Sequence, residues 1–176
     1  MIKINLFIFK LFNIINAMNQ SKSFYTIRRQ MRMILVMLVY KFELNNEKVS
    51  TKQIFEENDL ELFFDYKFLF KNQAQKIYQE QMKIFQFIEN HYDKIQLIIK
   101  QFIREDWTWD RINPLLRSLL ICACVELRKL DLGIVTNEYV EMAKDFLPDT
   151  DEYKFINIVL ENIEKFYYEK KIKKSN

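Results

Sequence analysis

The stretch NPLLRSLLICACVEL, residues 113–127, contains the clearest helical pattern in the chain. Asn113 is a good N-cap, and Pro114 stands at the first helical position, where its missing N–H costs no hydrogen bond. The apolar residues recur at helical spacing and form one stripe: Leu116, Leu119, Leu120, Ala123 and Leu127. We predict a buried amphipathic helix here, with Leu130 near its end and Gly133 as its stop signal.

The composition extends this helical interpretation to the whole chain. Its 176 residues include one glycine and two prolines, and 49% of them are hydrophobic. Hairpins and sandwiches require frequent tight turns, typically Asn-Gly or Asp-Gly, and neither dipeptide occurs. We therefore predict a single all-α domain, a compact bundle of six to seven helices.

Further helices are predicted on both sides of the opening stretch. Apolar residues recur at helical spacing over 27–44, and a capping box at 50–53 precedes a short helix expected within 54–76. A long pattern covers 77–102. We expect it to break between His91 and Asp93, because Asp93 is a good N-cap.

Two helices are predicted after Gly133, from about 137 to 146 and from 149 onward. Asp149 and Glu152 have capping-box spacing at the start of the second one. Its predicted core face consists of Phe155, Val159, Ile163 and Phe166.

The domain is expected to occupy 18–170, followed by a basic tail at 171–176. Residues 1–17 are apolar but contain Lys3 and Lys10, which leaves too short an apolar run for a membrane span. We interpret 1–17 as an upstream extension before a start at Met18, or as an extra N-terminal helix. A secretory signal ending at Ala17 is a less favoured interpretation.

Positive charge is concentrated at both ends of the chain. The net charge is +3, and no acidic residue precedes Glu43. The basic residues in this first segment are Lys3, Lys10, Lys22, Arg28, Arg29, Arg32 and Lys41, and Lys170, Lys171, Lys173 and Lys174 lie near the C-terminus. This asymmetry indicates a polyanionic partner, either nucleic acid or an acidic membrane surface, although a solvated end that only aids solubility gives the same pattern.

The cluster Arg28-Arg29-x-x-Arg32 stands at the start of a predicted helix, where the helix dipole disfavours positive charge. Basic residues placed where the helix dipole disfavours them are a mild sign that the cluster has a function. Guanidinium groups in this arrangement could clamp a phosphate backbone, and Tyr25 and Tyr40 could stack on unpaired bases.

The sequence offers little for catalysis or metal binding. His91 is the only histidine, and with Cys122 and Cys124 it lacks the usual spacing of zinc ligands. A single glycine cannot form a Gly-rich phosphate loop. Cys122 and Cys124 are expected to be reduced core residues, since at i, i+2 on a helix they point to different faces. We predict that the protein is not an enzyme and that it binds no metal ion and no cofactor.

Three segments together resemble the NusB family. The first is the arginine-rich opening RRQMR at 28–32, which continues into an apolar helix with a tyrosine. The second is a pattern of Trp, Arg-Ile, a second Arg and a closing Glu-Leu, formed by Trp107, Arg111, Ile112, Arg117, Glu126 and Leu127. The third, NEYVEMAKDF at 137–146 followed by FINIVL at 155–160, resembles the family's C-terminal signature most closely. The likeness covers roughly 27–163 and is weakest at 45–76.

The resemblance implies a cytoplasmic, all-helical RNA-binding domain without a cofactor. Proteins of this family pair with NusE, a ribosomal small-subunit protein, and bind the boxA element of nascent RNA in support of ribosomal-operon transcription. By position, the resemblance assigns RNA contacts to Arg28, Arg29, Arg32, Tyr40, Asp151, Lys154 and Phe155. It assigns the NusE surface to the helix around Tyr78 and Ile84.

The chain also departs from the family pattern. Met33 replaces an acid, Ile84 and Ile158 replace glycines, Ile121 replaces an arginine, and Asp131 replaces a proline. The departures at Met33, Ile84 and Ile121 keep open a second interpretation, a helical protein-interaction domain of the same fold that has lost RNA binding. The RNA-binding domain of a ribosomal-RNA cytosine methyltransferase has this fold too, but the Gly-rich catalytic unit of such an enzyme does not occur in this sequence. An unidentified hydrolase or a different enzyme is disfavoured by the single histidine and the absence of catalytic motifs.

Four of the matched residues also have a purely structural interpretation. Phe155 fits the buried stripe of its helix as well as it fits a stacking role. Asn157 is expected to make a hydrogen bond to a neighbouring helix. Arg117 and Glu126 are expected to be structural, as paired charges.

Overall fold

The computed structural model describes residues 24–44, 72–105, 107–148 and 151–175. These residues form five α-helices, named α1 to α5 in chain order, and a single 3-10 turn. The helices are Phe24–Leu44, Asn72–Lys100, Pro114–Glu126, Leu132–Phe146 and Glu152–Ser175, and the 3-10 turn is Trp109–Arg111. No strand occurs in the described ranges, so the predicted all-α class is confirmed.

The number of described α-helices is one below the predicted six to seven. The short helix expected within 54–76 lies mostly outside the described residues, as do the segment 1–17 and the capping box at 50–53. Helix α5 continues through the predicted basic tail to Ser175.

Helix α3 lies at the centre of the fold and packs against the four other helices. Every residue from 115 to 127 is buried except the half-buried Arg117. A helix that is apolar on all sides is stable only when neighbours cover all of its sides, which explains the central position of α3. The predicted N-cap is confirmed, because Asn113 Oδ1 accepts a hydrogen bond of 3.0 Å from the Leu115 N–H and Pro114 follows.

Helix α1 is buried continuously from residue 30 to 39 and packs against α2 and α3. The predicted stripe of Met31, Ile34, Leu35, Leu38 and Phe42 is confirmed as core. The predicted stripe was too narrow, because further residues of α1 are buried as well: Met33, Val36, Met37 and Val39.

Helix α2 has a kink at His91, whose φ of −131° and ψ of 18° are not helical. The predicted break is therefore confirmed in position. Asp93 does not cap a second helix, because the helix resumes directly after this one residue. The buried face of α2 includes Phe85, Ile88, Tyr92, Ile95 and Ile99.

Helix α4 begins at Leu132, five residues before the predicted start near 137. Asp131 is its N-cap, and its Oδ1 accepts a hydrogen bond of 2.8 Å from the Gly133 N–H. A Cβ added at Gly133 would lie only 3.1 Å from this oxygen, so glycine suits the close approach. Gly133 is thus part of the start of α4, and the prediction that it stops α3 was wrong.

Helix α5 packs against α4 and α3 through Ile156, Val159, Leu160 and Ile163, which are fully buried. Phe155 and Phe166 were predicted on this core face, but both are only half-buried at its edge. In the centre of the fold, both cysteines of α3 are free and buried, as predicted. The Cys124 Sγ lies 3.3 Å from the Tyr167 hydroxyl oxygen of α5.

Candidate nucleic-acid interface

Arg32 was predicted to contact RNA, and the structure corrects this expectation. Its side chain is buried, with a relative exposure of 5% for the residue. Its Nε donates to Glu126 Oε2 at 2.8 Å, and its Nη1 lies 3.4 Å from Glu138 Oε2. Burial alone would lower the pKa of Arg32, but the hydrogen bond and charge of Glu126, helped by Glu138, leave it raised. Arg32 therefore joins α1 to α3 and α4, and it does not reach the surface.

A second buried ion pair joins the other end of α1 to α3. The Arg117 Nε lies 2.7 Å from Glu43 Oε2, and the Tyr92 hydroxyl of α2 donates to the other oxygen of Glu43. Arg117 and Glu126 are thus both structural, as predicted. They pair with Glu43 and Arg32, however, and not with each other.

Arg28 and Arg29 are half-buried, and Arg29 extends toward the C-terminal end of α4. Its Nη2 lies 2.9 Å from Asp145 Oδ2, and its charge also contributes to lowering the pKa of Glu141 one turn earlier. The basic start of α1 therefore lies beside the last turns of α4.

The same end of α4 meets the start of α5 at the Tyr153 ring. The Lys144 Nζ lies 5.2 Å from the centroid of this ring, and the Lys154 Nζ lies 5.8 Å from it. Two ammonium groups from two helices thus border one partly exposed aromatic ring. We call Arg28, Arg29, Lys144, Tyr153 and Lys154 the Tyr153 surface.

Three cations of the Tyr153 surface form ion pairs with neighbouring acids. Arg29 pairs with Asp145, and Lys144 donates to Glu141 Oε1 at 2.7 Å. This hydrogen bond lowers the pKa of Glu141 and raises that of Lys144. Lys154 lies 3.0 Å from Asp151 Oδ2, which raises its pKa in the same way. Solvent screens surface pairs of this kind, so each adds little stability and another anion can replace the carboxylate.

Asp151 and Phe155 extend the surface less directly. Asp151 is exposed and serves as the carboxylate partner of Lys154. Phe155 packs against the core with part of its ring, and its centroid lies 4.9 Å from that of the exposed Trp107. These contacts within the protein agree with the structural interpretation of Phe155, and its stacking on RNA stays a prediction.

Tyr40 lies on the same face of α1 as Arg29. Eleven residues at 100° each make three turns and about 20°, which puts the two residues about 16 Å apart along the helix axis. Tyr40 is half-buried against the core, and this burial raises the pKa of its hydroxyl.

The face of α2 that was predicted to bind a partner contains Ile84, which is half-buried against the core. Tyr78 lies in the same helix, but its side chain is outside the described residues. One turn after Ile84, the Phe87 ring stacks on His91 at 4.2 Å, with the Arg128 guanidinium 4.5 Å from its centroid. Aromatic and arginine side chains are enriched at protein interfaces.

Sequence reasoning missed two residues of the Tyr153 surface, Lys144 and Tyr153. Both stand in or next to the segments that carried the family resemblance, but neither belongs to a charge run or a periodic pattern. Among the described residues, no group of acids, cysteines and histidine is arranged to hold a metal ion. No described helix has an apolar run sufficient to traverse a lipid bilayer.

Comparison with known proteins supports the family resemblance. Two relatives named transcription antitermination protein NusB, from Nitratiruptor sp. and Sulfurimonas denitrificans, are each 32% identical over 142 residues. The alignments cover 78% of this chain and 91% and 96% of the two relatives. A third relative of that name, from Fusobacterium nucleatum, is 36% identical over 80 residues, 44% of this chain and 51% of the relative. The chain thus spans about half the length of this relative and of others like it.

No solved structure was found to match the chain. The family model, described as NusB family, matches residues 29–165. This span extends from Arg29, at the basic start of α1, to Lys165 in α5, and it includes the central helix and the Tyr153 surface except Arg28. The chain therefore belongs to the NusB family.

Proposed function

We propose that this protein is a transcription antitermination factor that binds unpaired boxA-type RNA through the Tyr153 surface, together with NusE. The observation that supports this most is the convergence of Lys144 and Lys154 on the Tyr153 ring, with Arg29 beside the same end of α4. The names of the relatives, transcription antitermination protein NusB, agree with this function.

The two kinds of group on this surface match the two parts of an unpaired nucleotide. Sequence-specific proteins read RNA mostly in single-stranded segments, where bases stack on aromatic or guanidinium planes. Phosphates supply most of the affinity through contacts with lysine and arginine. On this surface the Tyr153 ring would stack on a base while the flanking ammonium and guanidinium groups contact the adjoining phosphates.

The ion pairs of the free protein hold these cations ready for the RNA. Asp145, Glu141 and Asp151 each keep one cation within 3.0 Å of a carboxylate oxygen. Binding would exchange this carboxylate for a phosphate, and the small stability of an exposed pair makes the exchange inexpensive. Arg32 contributes indirectly, because its buried pairs hold α1 against α3 and α4.

The partner NusE would bind the face of α2 that contains Tyr78 and Ile84. The stacked group of Phe87, His91 and Arg128 on this side of α2 supplies the aromatic and arginine contacts typical of such an interface.

Fluorescence anisotropy of a labelled boxA-like RNA tests the proposal, with and without NusE. Tyr153→Leu should weaken binding at least fivefold, since base–aromatic stacking contributes about 1–3 kcal/mol. Tyr153→Phe keeps the ring and should stay within about twofold of wild type. Arg28→Ala/Arg29→Ala should also weaken binding, and NusE should strengthen it.

Lys129→Ala is the matched control for Lys144→Ala. Lys129 is exposed and precedes α4, whereas Lys144 lies near its end, about 18 Å further along the helix. Equal effects of the two substitutions would mean that only the net charge matters. Equal binding by Tyr153→Leu and Tyr153→Phe would refute the stacking role.

One observation favours a second candidate, a protein-interaction domain that has lost RNA binding. Three basic side chains of the Tyr153 surface are balanced by three acids, which weakens the local positive potential. Retention of NusE by a folded protein that binds no RNA at low salt would establish this candidate instead.

A further inference from the structure

Helices α4 and α5 leave between them a groove of about 400 Å³. This volume lies within the range of pockets that hold small organic ligands. The polar lining of the groove comes from Thr136, Asn137, Glu141 and Lys144 of α4 and from Asn157 and Glu161 of α5.

The groove adjoins the Tyr153 surface. Lys144 lines the groove and also lies 5.2 Å from the Tyr153 ring centroid. Asn157 follows Tyr153 by four residues, so it lies on the same face of α5, about one turn or about 6 Å further along. A nucleotide next to one stacked on Tyr153 would therefore reach the groove.

The charges in the groove suit a base and disfavour a phosphate. Among the described residues that line the groove, Glu141 and Glu161 supply two carboxylates and Lys144 the one ammonium group, which already donates to Glu141. A phosphate would meet net negative charge here, while the cations of the Tyr153 surface attract it to the rim. The N–H groups of a base would meet acceptors.

Hydrogen-bonding capacity remains on both walls of the groove. Asn157 Nδ2 donates to Glu161 Oε1 at 2.8 Å, which fixes the two side chains and leaves Asn157 Oδ1 and Glu161 Oε2 as acceptors. On the α4 side, the Thr136 hydroxyl oxygen is buried and has no hydrogen-bond partner among the described residues. The Asn157 bond lies within α5, so the predicted bond to a neighbouring helix was wrong. Its side chain is instead directed along the groove wall.

We propose that this groove is a specificity pocket for one unpaired base rich in N–H donors, guanine fitting best. The inference rests on the proposed RNA binding and adds the base that the same surface selects. Guanine presents N1–H and the 2-amino group side by side, which suits the adjacent acceptors of Glu161 and Asn157. Uracil presents a carbonyl oxygen on each side of its single N–H, and these oxygens would face the carboxylates unfavourably.

Two labelled RNAs test the pocket. One is a uridine decamer with a single central guanosine, and the other has inosine, which lacks the 2-amino group, in place of this guanosine. Wild type should bind the guanosine RNA about tenfold more tightly, the effect expected from one hydrogen bond to a charged group. Glu161→Gln should reduce this ratio to below about twofold. Glu169→Gln, the same change at an exposed site two turns further along α5, should leave the ratio unchanged. Circular dichroism would verify that each variant is folded.

The outcomes separate the pocket from the proposed function. Equal affinity for the two RNAs, with RNA clearly bound, would overturn the pocket and leave RNA binding at the Tyr153 surface standing. A guanosine preference that survives Glu161→Gln would also overturn it, because the base would then be read elsewhere. Failure to bind boxA-like RNA as well as both decamers would overturn the proposed function itself.

Discussion

Replacement of Arg32 by methionine should destabilise the fold strongly. Arg32, Glu126 and Glu138 have exposures of 5%, 4% and 2%, and the guanidinium lies 2.8 and 3.4 Å from the two carboxylates. Removing the cation leaves two buried acids without it, which typically costs about 3–5 kcal/mol. For a domain of this size, each kcal/mol lowers the melting temperature by about 2–4 °C. The expected decrease is therefore roughly 6–20 °C.

Calorimetry and urea denaturation would measure this loss, with two comparison variants. Arg29→Met breaks a pair whose acidic partner, Asp145, is exposed to solvent, and should cost less than about 1 kcal/mol. Arg32→Met/Glu126→Gln/Glu138→Gln removes the unpaired charges and should recover much of the stability, because replacing a whole buried charge group is far less costly than breaking it.

Two results would refute this reasoning. One is an Arg32→Met protein with a stability within about 1 kcal/mol of wild type. The other is an Arg32→Met protein that is folded, well below its melting temperature, and yet loses RNA affinity as completely as Arg29→Met. That result would return Arg32 to the binding surface.

Three further predictions concern charge and protonation. If Arg28, Arg29, Lys144 and Lys154 neutralise four phosphates, the logarithm of the RNA affinity should fall with the logarithm of the salt concentration with a slope of about −2.8. This slope corresponds to a roughly 50-fold loss of affinity between about 50 and 200 mM salt, and Lys154→Ala should reduce its magnitude by about 0.7 in anisotropy titrations. A slope near zero would exclude phosphate contacts. Asp145→Asn frees Arg29 from its carboxylate and should strengthen RNA binding up to about fivefold in the same assay, and weaker binding would show that Asp145 assists the RNA. Burial raises the pKa of Cys124 to about 11 and holds that of Cys122 well above its usual value. Both thiols should therefore resist a thiol reagent at about pH 8 until the protein unfolds, and fast native-state labelling would contradict their burial. The pKa of the Cys124 thiol is higher in the folded protein than in the unfolded chain, where it is about 8.5. Its contribution to the free energy of unfolding is therefore fully present below about pH 8.5 and decreases as the pH rises toward 11.

The parts of the fold that could be predicted are those set by local sequence. The cap at Asn113 and Pro114 requires neighbouring residues alone. The kink at His91 lies where the N-cap signal of Asp93 predicted a break, although Asp93 does not cap a second helix. The error at Gly133 has a local cause too. Glycine often follows a helix, but here the Asp131 side chain caps the next helix across it.

The parts that could not be predicted depend on contacts between distant segments. Arg32 has the sequence context of a surface arginine, and its partner Glu126 lies 94 residues away. Tyr153 is a single tyrosine between charged residues, and it becomes part of a surface only because α4 and α5 bring Lys144 beside it. The all-α class and the family were within reach of the sequence. The division of the arginine cluster into buried and surface members was not.

Crosslinking tests the central claim, that RNA lies on the Tyr153 surface, most directly. A boxA-like RNA with 4-thiouridine at successive positions would be irradiated with the full chain and NusE, and the linked peptides would be identified by mass spectrometry. We expect crosslinks at Tyr153 or within 144–154, and their loss in Tyr153→Leu. Crosslinks confined to the group around Phe87 and His91, with none in 144–154, would contradict the account.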